Sequence, residues 1–503
     1  MEVAGEDCNG RRALLWWFVP RAFALPPQAP VLPAPLSPQY HMKPRSYRPF
    51  TRKDIDSIAL RGGFSNDRIL AMKAISAVLP FRVNDYVIEE LIRWEDVPED
   101  PIFQLVFPQP GMLEGRDLDR MIELVHRQAS KEELTAAAQE IRLRLNPHPA
   151  GQMELNTPRM DGEIVPGMQH KYRETVLFFP SRGQTCHAYC GYCFRWPQFV
   201  GDEKLKFANR ESLALARYVA EHPEVSDVLI TGGDPLIMRS AHMREIIEPL
   251  LDPDLEHVRD IRIGTKSLAW WPYRFVTDKD ADDLLRLFEQ VVESGRHLAL
   301  MAHASHPREF ETPIVQTAIR RIKDTGAVIR CQAPLIRHVN DSAQIWADMW
   351  RTEVRMGAVP YYMFVERDTG ANRYFEVPLA RAHKIFRSAY RQVTGLARTV
   401  RGPSMSATSG KVSIVGTARI GGEKVFVLEF LQGRCSDWVG HPFFAAYDDK
   451  ATWLDQLRPA FGEAKFFFER DEHQFGSSPI PSLPEAAPIS VMGAANMQPE
   501  PGV

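Results

Sequence analysis

Two kinds of apolar periodicity divide the chain. From Asn66 to about Arg144 apolar residues recur every three or four positions, the repeat of a helix with one buried face. DRILAMKAISAVL shows it, and ASKEELTAAAQEIRLRL shows it again with Ser130 placed to cap the helix start. Between them RWEDVPEDPIFQLVFPQPG, rich in proline and acid, reads as a loop. From Tyr172 onward, short runs of β-branched and aromatic residues alternate with helical segments. The runs are TVLFF (175–179), DVLITGG (227–233), IRIGT (261–265), LALMAHA (298–304), VIRCQAPLI (328–336) and YYMFV (361–365). The helices include ESLALARYVAEH, AHMREIIEPLL, DADDLLRLFEQVVES, TPIVQTAIRRIKDTG and PLARAHKIFRSAYRQVT. Six strand–helix repeats predict an α/β fold with parallel strands and right-handed crossovers, a partial or full (β/α) barrel. Chemistry in such folds collects at the C-terminal ends of the strands. A cysteine-rich loop, TGGDP (231–235) and the histidine of MAHASHP each follow a candidate strand directly and fall on that face.

Beyond the barrel core, KVSIVG and EKVFVLEFLQG predict strands and ATWLDQLRPAFG a terminal helix, together a small β-rich cap. The expected divisions are a disordered extension (1–45), an N-terminal helical region (46–170), the core (171–400), a C-terminal region (401–475) and a disordered tail (476–503). The apolar stretch ALLWWFVPRAFALPP resembles a secretory leader only superficially, because Pro20 and Arg21 interrupt it; Met42 is a candidate start.

Composition narrows the function classes. The 503 residues are 44% hydrophobic and 25% charged, ordinary values for a soluble enzyme. A net charge of -3 without a basic stripe speaks against nucleic acid as the main partner. No apolar run reaches the ~20 residues of a membrane span. Three of the six cysteines are clustered, and Cys8, Cys331 and Cys435 are scattered. That pattern argues against a secreted disulfide framework and for a reducing cytoplasm.

The cluster is TCHAYCGYCFRW (185–196), with Cys186, Cys190 and Cys193 in C-x3-C-x2-C spacing. Thiolates bind zinc or iron. A structural zinc site needs a fourth ligand, for which His187 stands in the loop, and leads to a binding module without catalysis. An iron–sulfur cube held by three cysteines instead leaves one iron open to a chelating ligand. TGGDP begins 38 residues beyond Cys193 (231 less 193). Its glycines admit close backbone approach and its acid can accept from an ammonium.

CHAYCGYC, with Tyr192 before the third cysteine, resembles the signature of radical S-adenosylmethionine (SAM) enzymes. PFRVNDYVIEELIRWEDVPEDPIFQLVFP (80–108), HKYRETVLFF, YCFR, IRIGT, HASHP, CQAPLIRHVND and PYYMF follow in the order found in lysine 2,3-aminomutases, so the resemblance covers roughly residues 65 to 445. It implies a [4Fe-4S] cluster on Cys186, Cys190 and Cys193, whose open iron chelates SAM. Gly232, Gly233 and Asp234 then hold SAM's amino group, and His303 and Gln332 line it. It implies pyridoxal phosphate (PLP) on Lys411, with Lys171 and Arg173 against the phosphate; a second family arginine is Thr175 here. Arg195 matches the arginine that clamps the substrate carboxylate. The implied reaction moves an α-amino group to the β-carbon, SAM supplying the radical and PLP the π-bond it attacks. The implied partners are a small amino acid, an electron donor of flavodoxin or ferredoxin type and further copies of the chain. A radical SAM reaction without PLP is the alternative. Two departures matter. The aspartates that bind lysine's distal ammonium are Arg367, with Asp368 adjacent, and Arg401 here, which favours an anionic substrate such as glutamate. The family's C-terminal zinc-binding cysteines are missing, so no structural zinc is expected there.

Overall fold

The computed structural model describes residues 42–146, 156–201, 207–211 and 213–471. The extension expected at 1–45 lies outside them up to residue 41, and the expected tail lies wholly outside. An eleven-stranded sheet forms the framework, its strand order following the chain almost throughout. β1 (Met168–Tyr172) pairs antiparallel with β2 (Thr175–Phe178). From β2 the strands run parallel through β3 (Asp227–Ile230), β4 (Asp260–Thr265), β5 (His297–His303), β6 (Val328–Leu335), β7 (Val359–Val365) and β8 (Arg401–Ser406). β9 (Gly410–Ile420), β10 (Glu423–Gly433) and β11 (Pro442–Ala446) extend the same ladder antiparallel. The ladder is linear, with no pairing between β1 and β11 among the described residues.

All six forecast runs are strands, β2 to β7. Their composition explains it: in β4, Ile261, Ile263 and Thr265 are buried against the crossover helices while Asp260, Arg262 and Gly264 face a less buried interior. Helices cross between the parallel strands at Ala214–Ala220, Ser240–Ile247, Ala281–Glu293, Pro313–Asp324, Ala343–Arg355 and Leu379–Tyr390. The helix at Ala343–Arg355 was not singled out above. Its buried Trp346, Ala347, Met349, Trp350 and Glu353 nevertheless keep helical spacing, and the Ser342 hydroxyl caps it. No helix of the described residues is long and apolar enough to cross a membrane.

In the N-terminal region, Asn66–Val78 is capped by Ser65, and Lys131–Leu145 by the expected Ser130 with Glu133 closing the box. The segment read as a loop instead contains a helix, Pro101–Val106, because the Asp100 carboxylate accepts from Ile102 N and Phe103 N and Pro101 fits the first turn. Asp100 also forms a buried ion pair with Arg308, just after β5, which joins this region to the sheet.

The expected terminal helix in ATWLDQLRPAFG does not form; one 3-10 turn, Leu454–Gln456, stands there. The segment bonds to β11 instead of to itself, Ala446 N donating to Arg458 O and Ala460 N to Phe444 O. Pro459 removes a donor that a helix would need. The cap is not a separate layer at its start: β8 pairs in parallel with β7 and carries the β9–β10 hairpin.

Candidate active site

β2 ends at Phe178, and a short turn, Ser181–Gly183, leads into the cysteine loop. Main-chain bonds hold this loop: Tyr189 N to Arg82 O (2.8 Å), Gly191 N to Leu105 O (2.8 Å) and Cys193 N to Cys190 O (3.0 Å). The turn after β3, the neighbouring strand, is bonded directly to it, with Gly233 N donating to Gly183 O (3.0 Å) and Asp234 N to Thr185 O (2.7 Å). A Cβ at Gly233 would lie 2.5 Å from both Thr185 N and Thr185 O, so only glycine permits this approach. Gly232, at φ +153°, meets Gln184 as closely. The structure thus brings the two sequence motifs together.

Cys186, Cys190 and Cys193 are half-buried and free of disulfides. Burial pushes the Cys193 thiol up to about 12 and raises Cys186 and Cys190, while Arg82, Lys266 and Arg195 pull Cys186, Cys190 and Cys193 respectively the other way. Thiolates here therefore need positive charge beside them. Among the described residues no three His, Cys, Asp or Glu side chains are gathered to grip a single metal ion. His187 is buried, and its Nδ1 pairs with Ser267 Oγ at 3.0 Å. Three free thiols on one loop, faced by three cations, fit a cluster larger than one ion and held through three sulfurs.

The Asp234 carboxylate differs from expectation. It accepts from Leu236 N (3.0 Å), Thr265 Oγ1 (2.8 and 2.9 Å), Lys266 N (2.9 Å) and Ser267 Oγ (2.9 Å). These bonds fill both oxygens, so the carboxylate does not stand open to an ammonium; it fastens the turn after β3 to the turn after β4. The bare glycine backbone is what this turn can offer a ligand. His303, the last residue of β5, is the ladder partner of Gln332 in the middle of β6, and Gln332 Nε2 donates to His303 Nε2 at 2.9 Å. Burial pushes the His303 ring down to about 3, so it is neutral. Beneath it Lys266 Nζ donates to Glu309 (2.7 Å), Ser305 Oγ (3.3 Å) and His303 O (3.4 Å).

A second group gathers around Lys411. It stands opposite Ser406, the last residue of β8; its Nζ donates to Gln432 Oε1 at 2.9 Å and lies 4.3 Å from the Tyr362 ring centre. Burial, then Arg262 and Arg401, push the amine down to about 7, so roughly half is neutral at pH 7, where a solvated lysine is almost wholly ammonium. Lys171, on β1, donates to Ala407 O. Burial lowers its amine too, helped by Arg434, Arg367 and Lys411. Arg262 pairs with Asp227 (Nε to Oδ1, 2.7 Å), which also accepts from Thr175 Oγ1 (2.8 Å). A near-neutral amine among this many cations fits a phosphorylated aldehyde.

Arg195 lies 4.2 Å over the Phe179 ring and donates to Gln184 Oε1 at 3.3 Å, and its Nε is buried without a partner. Arg367 follows β7 and stands 5.3 Å over Phe194, the residue after Cys193; its Nε is also buried and unpartnered. Arg401 opens β8, exposed, with Nη1 donating to the Tyr362 hydroxyl at 3.2 Å.

No protein-family model matches the chain. A protein of Aquifex aeolicus (strain VF5), provisionally named L-lysine 2,3-aminomutase, is 30% identical over 399 residues, 78% of this chain and 92% of its own length. The chain belongs to the lysine 2,3-aminomutase family of radical SAM proteins. L-lysine 2,3-aminomutases of Escherichia coli (strain K12) and Bacillus subtilis (strain 168) are 29% and 25% identical, over 48% and 61% of this chain and 67% and 68% of their own. A crystal structure of a radical SAM methyltransferase from Sphaerobacter thermophilus aligns over 57% of this chain and 89% of its own at 16% identity and a TM-score of 0.34, a likeness too slight to carry a conclusion.

Against the family's roles, the geometry parts two pairs. Arg173 is not beside Lys171 and Lys411: it occupies the β1–β2 turn, its side chain 42% exposed and 3.9 Å from Glu174. Two-residue alternation along a continued strand would set Arg173 on the face of Lys171, but β1 ends at Tyr172 and its register shifts between His170 and Tyr172, so the turn takes Arg173 away from that face. Arg367 and Arg401 do not form one clamp either. Arg401 sits level with Tyr362 in the β7–β8 register, and Arg367 is five residues further along, roughly 15 Å of extended chain. In this aminomutase-family chain Arg367 acts on Lys171 and Arg401 on Lys411. Lys266, Arg262, Asp227 and Gln432 were missed in the sequence; only Lys266, directly after IRIGT, carried a positional signal.

Proposed function

We propose that the chain is an isomerase, a radical SAM and PLP-dependent amino-acid 2,3-aminomutase acting on an acidic substrate such as glutamate. The observation that carries this reading is Lys411: an amine lowered to about 7 inside a cationic enclosure, on the hydrogen-bonded sheet whose β2 leads into the cysteine loop. Cys186, Cys190 and Cys193 would hold a [4Fe-4S] cluster, and the Gly232–Gly233 backbone, His303 and Gln332 would flank SAM. Lys411 would bond PLP, and Lys171 would face its phosphate. When bound, the cluster and SAM supply a hydrogen-abstracting radical, and PLP supplies the π-system across which an amino group moves.

The chain's own residues divide the remaining work. Arg195, with an unsatisfied buried Nε, orients the substrate carboxylate. Arg367, beside the cysteine loop, takes a second, side-chain carboxylate. The Phe179, Phe194 and Tyr362 rings against these cations keep water from the reacting carbon. The electron enters from a donor of flavodoxin or ferredoxin type in the cytoplasm.

The test is an anaerobic assay with SAM, PLP and reductant against the standard amino acids, reading β-amino products. Borohydride reduction and peptide mass spectrometry should find pyridoxyl on Lys411 and none in Lys411→Ala. Turnover of lysine with none of glutamate ends the substrate assignment; turnover retained in Lys411→Ala ends the PLP assignment.

A further inference from the structure

Between the N-terminal region and Tyr189 of the cysteine loop lies an open cleft of about 680 Å³. Its lining includes Arg52, Lys53, Lys73, Arg82 and Arg142 against a single acid, Asp56, which Lys73 already pairs at 2.6 Å. Among the described residues Arg52 and Lys53 make no side-chain hydrogen bond or ion pair. The chain as a whole carries -3, so this excess of positive charge is local.

The cleft reaches the cysteine loop through short contacts. Arg82 Nη1 donates to Thr185 Oγ1 at 3.1 Å, Thr185 Oγ1 meets the Tyr189 hydroxyl at 3.0 Å, and Tyr189 stands between Cys186 and Cys190. The Tyr189 ring stacks on Phe199, centroids 4.5 Å apart at 14°, and both rings line the cleft. The Arg82 Nε is buried and unpartnered. A basic surface, with Arg52 and Lys53 open to solvent contacts, beside stacked rings on the loop that carries the thiols suits an anionic macromolecule bringing an electron, since charge steers the encounter and electron transfer falls steeply with distance.

We propose that this cleft docks the acidic face of a flavodoxin-type electron-transfer protein, with Arg52 and Lys53 meeting its carboxylates. The proposal rests on the radical SAM reading. One electron leaves the reduced partner, which is oxidised by one electron, and enters the cluster held by the cysteine loop; no bond or proton is exchanged.

The experiment titrates full-length protein, reconstituted anaerobically, with a purified acidic flavodoxin and follows flavin fluorescence anisotropy at low and physiological ionic strength. Arg52→Glu/Lys53→Glu should weaken binding about tenfold or more at low salt and flatten its salt dependence. Lys384→Glu, an exposed reversal on the Leu379–Tyr390 helix, should bind as wild type. Iron and sulfide content and turnover with dithionite, which needs no docking, should not change in the double variant. Unchanged binding in the double variant, or an equal loss in Lys384→Glu, overturns the docking site. Intact, charge-dependent binding without any dithionite-driven turnover in wild type strikes the proposed reaction and leaves the docking site standing.

Discussion

Removing the Asp234 carboxylate tests how the two turns are held. In Asp234→Ala the main-chain donors Leu236 N and Lys266 N lose their acceptor in a buried setting, and the Thr265 and Ser267 hydroxyls must turn elsewhere. Ser267 has an alternative in His187 Nδ1, 3.0 Å away. Counting only the two main-chain donors at about 1–3 kcal/mol each gives a loss of about 2–6 kcal/mol, a large share of the ~5–15 kcal/mol that a folded domain has. Asp234→Asn keeps one acceptor but turns an NH2 group toward donors, and should cost about 1–3 kcal/mol. The assay is anaerobic urea unfolding of the metal-free protein by tryptophan fluorescence, paired with iron retention after reconstitution. Both should fall in Asp234→Ala, because the carboxylate fixes the turn whose main-chain N–H at 234 holds Thr185 O at the head of the cysteine loop. If the variant keeps wild-type stability within about 0.5 kcal/mol while SAM binding drops about tenfold, the carboxylate serves the ligand's ammonium and the reasoning is wrong.

Three further outcomes are expected. Gly233→Ala drives a Cβ into main-chain atoms of Thr185 at 2.5 Å, so the reconstituted variant should hold less than about half the wild-type iron and sulfide by chemical assay. Lys411 sheds its proton near pH 7 when folded and near 10.5 when unfolded, so the unfolded chain binds more protons between those values and wild-type stability rises with pH across that window. In Lys411→Met that share of the rise should vanish from urea midpoints compared at pH 7 and 9. Arg367→Met should raise KM for glutamate about 10–100-fold and Arg401→Met by less than about 3-fold; the reverse order would place the substrate beside Arg401.

The framework was readable because its strands are short apolar runs bounded by polar segments, and each of the six lies where the pattern put it. The cysteine loop and TGGDP were readable as neighbours because both follow strands that are consecutive in chain and sheet. What failed was long-range. Pro101–Val106 is a helix because Asp100 caps it and Arg308, 208 residues away, fixes Asp100. ATWLDQLRPAFG has helical composition, but β11 offers its backbone better partners. Motif spacing identified Arg367 and Arg401 as replacements for a pair of aspartates, yet spacing carries no distance along a strand. The donors to Asp234 were not legible, because an acid in a glycine turn advertises its charge, whereas Thr265, Lys266 and Ser267 come from the next strand's end.

The pairing of Ser406 with Lys411 means that only residues 407–410 separate the lysine from the last parallel strand, 407–409 forming the tip between β8 and β9. Side chains alternate across a hairpin, so inserting or deleting one residue in that tip would carry the amine to the opposite side of the sheet while leaving every other strand in place. The tip's length thus decides which side of the sheet presents the Lys411 amine, and with it whether the proposed bond to an aldehyde could form.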